Sequence, residues 1–225
     1  MNEQLIFPYL IASMMCIAMP GTDSLGTLSI GVTNGRKQAI AYAAGVGIGC
    51  MTHTLWACIG IAAIVAASQT LFTLIKWVGA FYLIYVGGQA IRQAQHNGID
   101  SVASSAKNSP QTAAQHSFQN RLGQGFLSNA LNPKVMLFFL AFLPQFVDVR
   151  PGAFSVWLQM AIFGTFFAAM TSISYIGLAW ASGSAGLWIR ARPAVLIWIN
   201  RIAGFLFIGL AVRLALSEKT PITIR

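Results

Sequence analysis

Long apolar runs separated by short polar stretches dominate this chain. Several runs exceed the roughly 20 residues that an α-helix needs to cross the hydrocarbon of a bilayer. A transmembrane β-barrel would show alternating segments of about 10 residues instead, a pattern absent here. The pattern therefore predicts an all-α, polytopic membrane protein. Its six predicted spans cover approximately residues 5–32, 39–67, 71–91, 123–146, 154–182 and 195–216.

One long polar segment, residues 92–121, divides the chain. Its middle is rich in Ser and Ala and lacks aromatic residues, so it cannot bury enough apolar surface to offset the entropy of ordering. We interpret the chain as one transporter domain, 1–225, whose halves 1–92 and 122–216 are joined by a cytoplasmic linker, 93–121. Since each half has three spans, an odd number, the halves are predicted to lie inverted in the membrane.

Two charged residues stand inside apolar runs, each close to a proline. Asp23 follows Pro20 in the first span, and Lys134 follows Pro133 directly in the fourth. Proline removes a backbone donor and interrupts a helix, and a charge at the bilayer centre costs about 2.5–3.5 kcal/mol. Broken, charged helices at corresponding places in two halves indicate the binding site of a transporter. We therefore predict that the first and fourth helices are broken.

The charges at these breaks would match the two ends of a zwitterion. Asp23 would bind a substrate ammonium group or take up a proton. Lys134 would pair with Asp23 or bind a substrate carboxylate; the alternative is that its long side chain reaches the lipid headgroups. The predicted substrate-binding and coupling residues are Pro20, Gly21, Asp23, Asn129, Asn132, Pro133 and Lys134, with Thr22 and His53 as further candidates.

Three other polar or glycine-rich features have less specific interpretations. His53 in the second span would relay protons or, by default, pack as a hydrogen-bonded side chain. The polar stretch 171–175 would form interhelical hydrogen bonds or line a cavity, and the glycines of 45–49 would allow close helix packing. His96 and His116 lack partners at metal-site spacing, and Cys50 and His53, one helical turn apart, are only two candidate ligands and do not make a site. We therefore predict no metal and no cofactor.

Composition and charge narrow the class of protein. Of the 225 residues, 56% are hydrophobic and 8% charged, against about 25% charged in soluble domains. The net charge of +9 lies mostly in basic loop residues between apolar runs, which indicates contact with anionic lipid rather than nucleic acid. Eight basic residues fall on the side of the membrane that holds the linker, and five fall on the opposite side, which also holds the N-terminus. Because basic residues are enriched on the cytoplasmic side, the N-terminus is predicted to be outside.

Several motifs occur in order along nearly the whole chain. They are residues 20–23 (Pro-Gly-Thr-Asp), the glycine-spaced second span, and residues 79–87, 125–134 and 143–146. Together they resemble the lysine exporter / homoserine–threonine exporter family. The first family motif reads Pro-Gly-Pro-Asp, so Thr22 departs from it. The resemblance implies a multi-pass exporter of the bacterial inner membrane that moves amino acids by antiport with protons.

The expected substrate is a small neutral amino acid of the threonine, homoserine, serine or leucine kind, because Asp23 is the only acidic residue well inside a span. The alternatives are an exporter of lysine or arginine, a metal-ion exporter of similar topology, an intramembrane enzyme, and a sensor subunit. We predict a transporter and not an enzyme. Its expected partners are the amino acid, protons and membrane lipid; a homodimer is left open.

Overall fold

The computed structural model of the chain describes residues 3–61, 69–96, 117–148, 150, 152–190 and 193–216. Within these residues the fold is entirely helical, as predicted. The eight α-helices are α1 (Glu3–Ala18), α2 (Thr22–Asn34), α3 (Arg36–Trp56), α4 (Gln69–His96), α5 (Phe118–Ala130), α6 (Pro133–Ala141), α7 (Val156–Arg190) and α8 (Pro193–Leu216). A π-helical turn, Ala57–Ile61, extends α3, and a 3₁₀ turn, Leu143–Phe146, follows α6.

The predicted breaks in the first and fourth spans are present. α1 and α2 are apolar enough to cross a membrane as one unit but are bent by 49° at residues 19–21, and α5 and α6 with its 3₁₀ turn are bent by 49° at residues 131–132. α3 with its π turn and α7 are each long and apolar enough to cross alone. α4 and α8, with 28 and 24 residues, exceed the roughly 20 required by a span.

The helices extend further into the predicted linker than the sequence indicated. α4 continues to His96, and α5 begins at Phe118, where the Ser117 hydroxyl caps the helix by accepting from Asn120 N at 3.2 Å. Residues at both ends of the segment 93–121 are therefore helical. The remainder of that segment, 97–116, lies outside the described residues.

Corresponding helices of the two halves pack on each other, α3 on α7 and α4 on α8, and α3 also packs on α5. Glycine allows the closest approaches, as predicted for residues 45–49. A Cβ atom on Gly45 would lie 2.0 Å from Leu122 O, and one on Gly125 would lie 2.0 Å from Tyr42 O. α3 is thus held between α5 and α7, and Asp23 and Asn129 beside the two breaks are buried.

Candidate functional site

The first break leaves backbone carbonyls at the end of α1 without helical donors. Gly21 is extended, and its N–H donates to the Ser24 hydroxyl at 3.0 Å, which starts α2. The second half of the chain supplies donors to the free carbonyls. Lys134 Nζ donates to Cys16 O at 3.1 Å and to Met19 O at 3.0 Å, while the Tyr175 hydroxyl donates to Ile17 O at 3.0 Å.

Asn132 organises the second break. Its side-chain oxygen accepts from Lys134 N at 3.0 Å and so caps α6, whose first residue is Pro133. Proline suits this position because the first helical N–H has no acceptor within the helix. On the other side of the break, Asn129 O accepts from Asn132 N at 2.8 Å and from His53 Nε2 at 2.9 Å.

The Asp23 carboxylate is buried, with 1% of its surface exposed, and is surrounded by neutral donors from the second break. Ser128 Oγ donates to Oδ1 at 2.9 Å, and Asn129 Nδ2 and Asn132 Nδ2 each donate to Oδ2 at 2.8 Å. Hydrogen bonds to a carboxylate are stronger than those between neutral groups. Asp23 also lies in the first turn of α2, where the helix dipole stabilises a negative charge.

Lys134 does not pair with Asp23. The sequence predicted that its ammonium group pairs with Asp23 or binds a substrate carboxylate. The pairing with Asp23 is wrong in this conformation, because the ammonium group donates to the backbone carbonyls of Cys16 and Met19 instead. Asp23 and Lys134 each occupy the second position of a half-helix, α2 and α6. A cation there opposes the dipole of α6, and the carbonyls at the negative end of α1 compensate for it.

Both charges line one small pocket between the two breaks. The space between its lining atoms, including adjoining open space, is about 180 Å³, but no part of it is wide enough for a water molecule, so the site is too narrow for a substrate in this conformation. Its walls carry two charges, hydrogen-bonding groups and apolar side chains. The lining residues are Cys16, Ile17, Asp23, Asn129, Lys134, Val135, Phe167, Thr171 and Tyr175.

The remaining predicted residues serve the breaks without lining this pocket. Thr22 is the first residue of α2, a position that proline also tolerates, and its hydroxyl accepts from Asn132 Nδ2 at 3.3 Å. Pro20 lies in the break. Gly21 leaves room for Lys134, since a Cβ atom would lie 3.3 Å from Nζ. His53 packs against Phe139 and donates to Asn129 O, the default role that its position indicated.

Sequence reasoning missed Ser128, although it immediately precedes Asn129. Its hydroxyl joins Asp23 to the buried Tyr42, whose hydroxyl donates to Ser128 Oγ at 2.8 Å. No spacing rule would have found this link, since Tyr42 and Ser128 lie on different helices, 86 residues apart. The expectation that polar residues in 171–175 line a cavity is confirmed by Thr171 and Tyr175.

Comparison with known proteins places these features in context. The family model described as LysE type translocator matches residues 14–218. The chain is 29% identical to an uncharacterized membrane protein of Vibrio cholerae, over 93% of this chain and 96% of the relative. It is 28% identical to a leucine efflux protein of Klebsiella pneumoniae, over 94% of each chain, and 25% identical to a leucine efflux protein of Enterobacter, over 92% and 93%. No solved structure matches the chain.

Proposed function

Because this chain belongs to the LysE type translocator family, we propose that it exports small neutral amino acids across the bacterial inner membrane by antiport with protons. The family match and the leucine efflux relatives support amino-acid export. The choice of substrate and the coupling to protons rest on the site. The predicted orientation, with the N-terminus outside, is part of the same proposal.

The observation that carries the proposal is that the pocket holds two opposite charges that do not neutralise each other. Asp23 is held by Ser128, Asn129 and Asn132, and Lys134 by backbone carbonyls of the first break. Asp23 is buried and Lys134 is half-buried, and a charge removed from water without a counter-charge is costly. A zwitterionic amino acid would supply both counter-charges, its ammonium group to Asp23 and its carboxylate to Lys134.

The apolar part of the lining supports a neutral side chain. Ile17, Val135 and Phe167 contribute apolar surface, and Asp23 is the only carboxylate among the described residues of the lining. A lysine or arginine substrate would place a second positive charge beside these groups with no further carboxylate to pair with it. Among the described residues, no three His, Cys, Asp or Glu side chains come together, so the site offers no support for the alternative of a metal-ion exporter.

Antiport follows from competition at one carboxylate. A proton on Asp23 removes the charge that attracts the substrate ammonium group, so proton and substrate would occupy the site in turn. The carboxylate of the bound substrate would compete for the Lys134 ammonium group, which now holds the end of α1. Binding would therefore favour a different arrangement of the broken helices, since a ligand shifts a conformational equilibrium only through contacts that differ between states.

The test is efflux of labelled amino acids from proteoliposomes, with and without a proton gradient. The panel contains leucine, threonine, serine, lysine and arginine. We expect gradient-driven efflux of the neutral members and little efflux of lysine or arginine. Faster efflux of the basic amino acids would contradict the proposed substrate class and support the basic exporter.

Asp23→Asn tests the coupling in the same assay. We expect gradient-driven efflux to fall by at least about 10-fold, the factor that 1.4 kcal/mol represents. The matched control is Asp148→Asn, the same substitution at an aspartate that lies outside the pocket. If Asp23→Asn protein elutes as a folded species in detergent and retains full gradient-driven efflux, Asp23 has no part in coupling.

A further inference from the structure

Two buried polar atoms in the pocket have no nitrogen or oxygen partner within hydrogen-bond distance among the described residues. They are Asn129 Oδ1, on a side chain with 0% exposure, and Thr171 Oγ1, on a residue with 2% exposure. Both residues line the pocket, and they come from different helices, α5 and α7. Buried polar groups without partners are uncommon in folded proteins, and each requires an explanation.

The hydrogen-bonding chemistry of the carboxylate determines which atom of the Asn129 amide is left without a partner. A carboxylate can only accept hydrogen bonds, so the amide nitrogen of Asn129 must face Asp23, to which it donates at 2.8 Å. The amide oxygen is then directed away from Asp23 and has no donor. Rotating the amide would bring two oxygens together, so this assignment is stable while Asp23 is charged.

Thr171 differs from its neighbours in how its hydroxyl is used. A helical Ser or Thr commonly donates to the carbonyl four residues earlier, as Ser172 does to Ala168 O at 2.8 Å and Thr54 does to Cys50 O at 3.2 Å. Thr171 makes no such bond. Among the described residues, the Cys50 thiol interacts by hydrogen bonding with both the Thr171 and Asn129 side chains. A thiol is a weak donor and a weak acceptor, and this one lies outside the distance of a full hydrogen bond to the two oxygens, so it does not satisfy them.

We infer that Asn129 Oδ1 and Thr171 Oγ1 form a polar subsite for a hydroxyl group on the side chain of the substrate. Such a hydroxyl can donate to Asn129 Oδ1 and accept from Thr171, so one group satisfies both atoms. Because the pocket is too narrow for a water molecule in this conformation, a substrate would need a wider one, in which Val135 and Phe167 of the same lining would face an adjacent methyl group. This inference rests on the proposed function and makes Thr171 a specificity-determining residue.

Isosteric substrates test the subsite in the unmodified protein. Threonine and valine have nearly the same shape but differ in one hydroxyl, and allo-threonine carries that hydroxyl in the opposite configuration. Because valine leaves both buried atoms unpaired, we expect its half-saturation concentration to be about 10-fold higher than that of threonine. Allo-threonine is expected to lie between them. Values for threonine and valine within about twofold of each other would overturn the subsite.

Thr171→Val then assigns the effect to one residue. We expect it to reduce the threonine-to-valine preference about 10-fold, mainly by weakening threonine. Thr171→Ser keeps the hydroxyl and should retain the preference. So should Ser172→Ala, which removes the neighbouring hydroxyl outside the pocket. A purely structural role would lower efflux of both substrates equally, and an unchanged ratio in Thr171→Val overturns the assignment.

The same assay separates this inference from the proposed function. Efflux of leucine and valine with no preference for threonine would reject the subsite and leave the neutral amino-acid exporter intact. Efflux of none of the panel by folded protein would reject the proposed function itself. If Thr171→Val does not fold, the three isosteric substrates still decide the question with the unmodified chain.

Discussion

At the scale of single residues, Asn132 has two roles that depend on different atoms. Its side-chain oxygen caps α6 by accepting from Lys134 N, and its side-chain nitrogen donates to Asp23 at 2.8 Å. An N-cap contributes about 1 kcal/mol to helix stability, while the contact with Asp23 affects the charge in the pocket. Substitutions that keep one atom and change the other therefore separate structure from function.

Asn132→Asp keeps an oxygen that can cap α6 but replaces the donor to Asp23 with a second carboxylate. Like charges at this distance oppose each other, so we expect efflux to fall at least about 10-fold while the helical content in circular dichroism is retained. Asn132→Ser, which also keeps a capping oxygen but adds no charge, should have a smaller effect. Equal efflux by the two variants would exclude charge repulsion as the cause.

At the scale of helices, residues beside each break donate hydrogen bonds to, or accept them from, residues beside the other break. The first residues of α2 receive donors from the end of α5 and from Asn132, and the first turn of α6 supplies Lys134 to the end of α1. α3 supports this arrangement by packing closely on α5. The close approach depends on glycines whose missing Cβ atoms would overlap the opposite backbone.

Gly125→Ala should disturb this contact because its Cβ would lie 2.0 Å from Tyr42 O, a backbone atom that cannot easily move. We expect a destabilisation of about 1–3 kcal/mol, as for overpacking of a core, measured by thermal unfolding in detergent. Gly123→Ala lies in the same helix and its Cβ meets nothing within 4 Å. It should be neutral or stabilise by up to about 1 kcal/mol, and equal unfolding temperatures would contradict the packing argument.

At the scale of the whole molecule, hydrogen bonds join Asp148, in the loop after the fourth span, to Gln159 in the first turn of α7. Gln159 is fully buried; its side chain accepts from Asp148 N at 2.8 Å and donates to Asp148 O at 2.7 Å. The Asp148 carboxylate forms an ion pair with the exposed Arg150 at 2.8 Å. Hydrogen bonds from Arg150 lower the pKa of Asp148 from 3.8 to about 2.

This lowered pKa predicts the pH dependence of the loop's contribution. A carboxyl group whose pKa is lower in the folded state stabilises the fold above its ordinary pKa of 3.8 and loses that contribution as pH falls to about 2. Asp148→Asn should therefore lower the unfolding temperature slightly at neutral pH, and the difference from the unmodified protein should vanish as pH falls through this range. A constant difference would show that the charge is irrelevant.

Much of the architecture could be predicted from the sequence because its causes are local. Apolar length specifies a span, and the prolines at positions 20 and 133 interrupt their helices by chemistry contained in one residue. We could also predict that charged and polar residues beside these breaks share one region, namely Asp23, Asn129, Asn132 and Lys134. The bend of 49° in each broken pair confirms the two predicted breaks.

Tertiary structure alone decided which atoms meet. A helix satisfies its own backbone hydrogen bonds, but at a break the free carbonyls and buried charges must find partners elsewhere, and those partners depend on how distant helices pack. Lys134 therefore contacts carbonyls 115 and 118 residues away in sequence instead of Asp23, and Ser128 joins the site from α5. The unpaired oxygens of Asn129 and Thr171 arise for the same reason, because they become neighbours of one pocket only when α5 and α7 surround it.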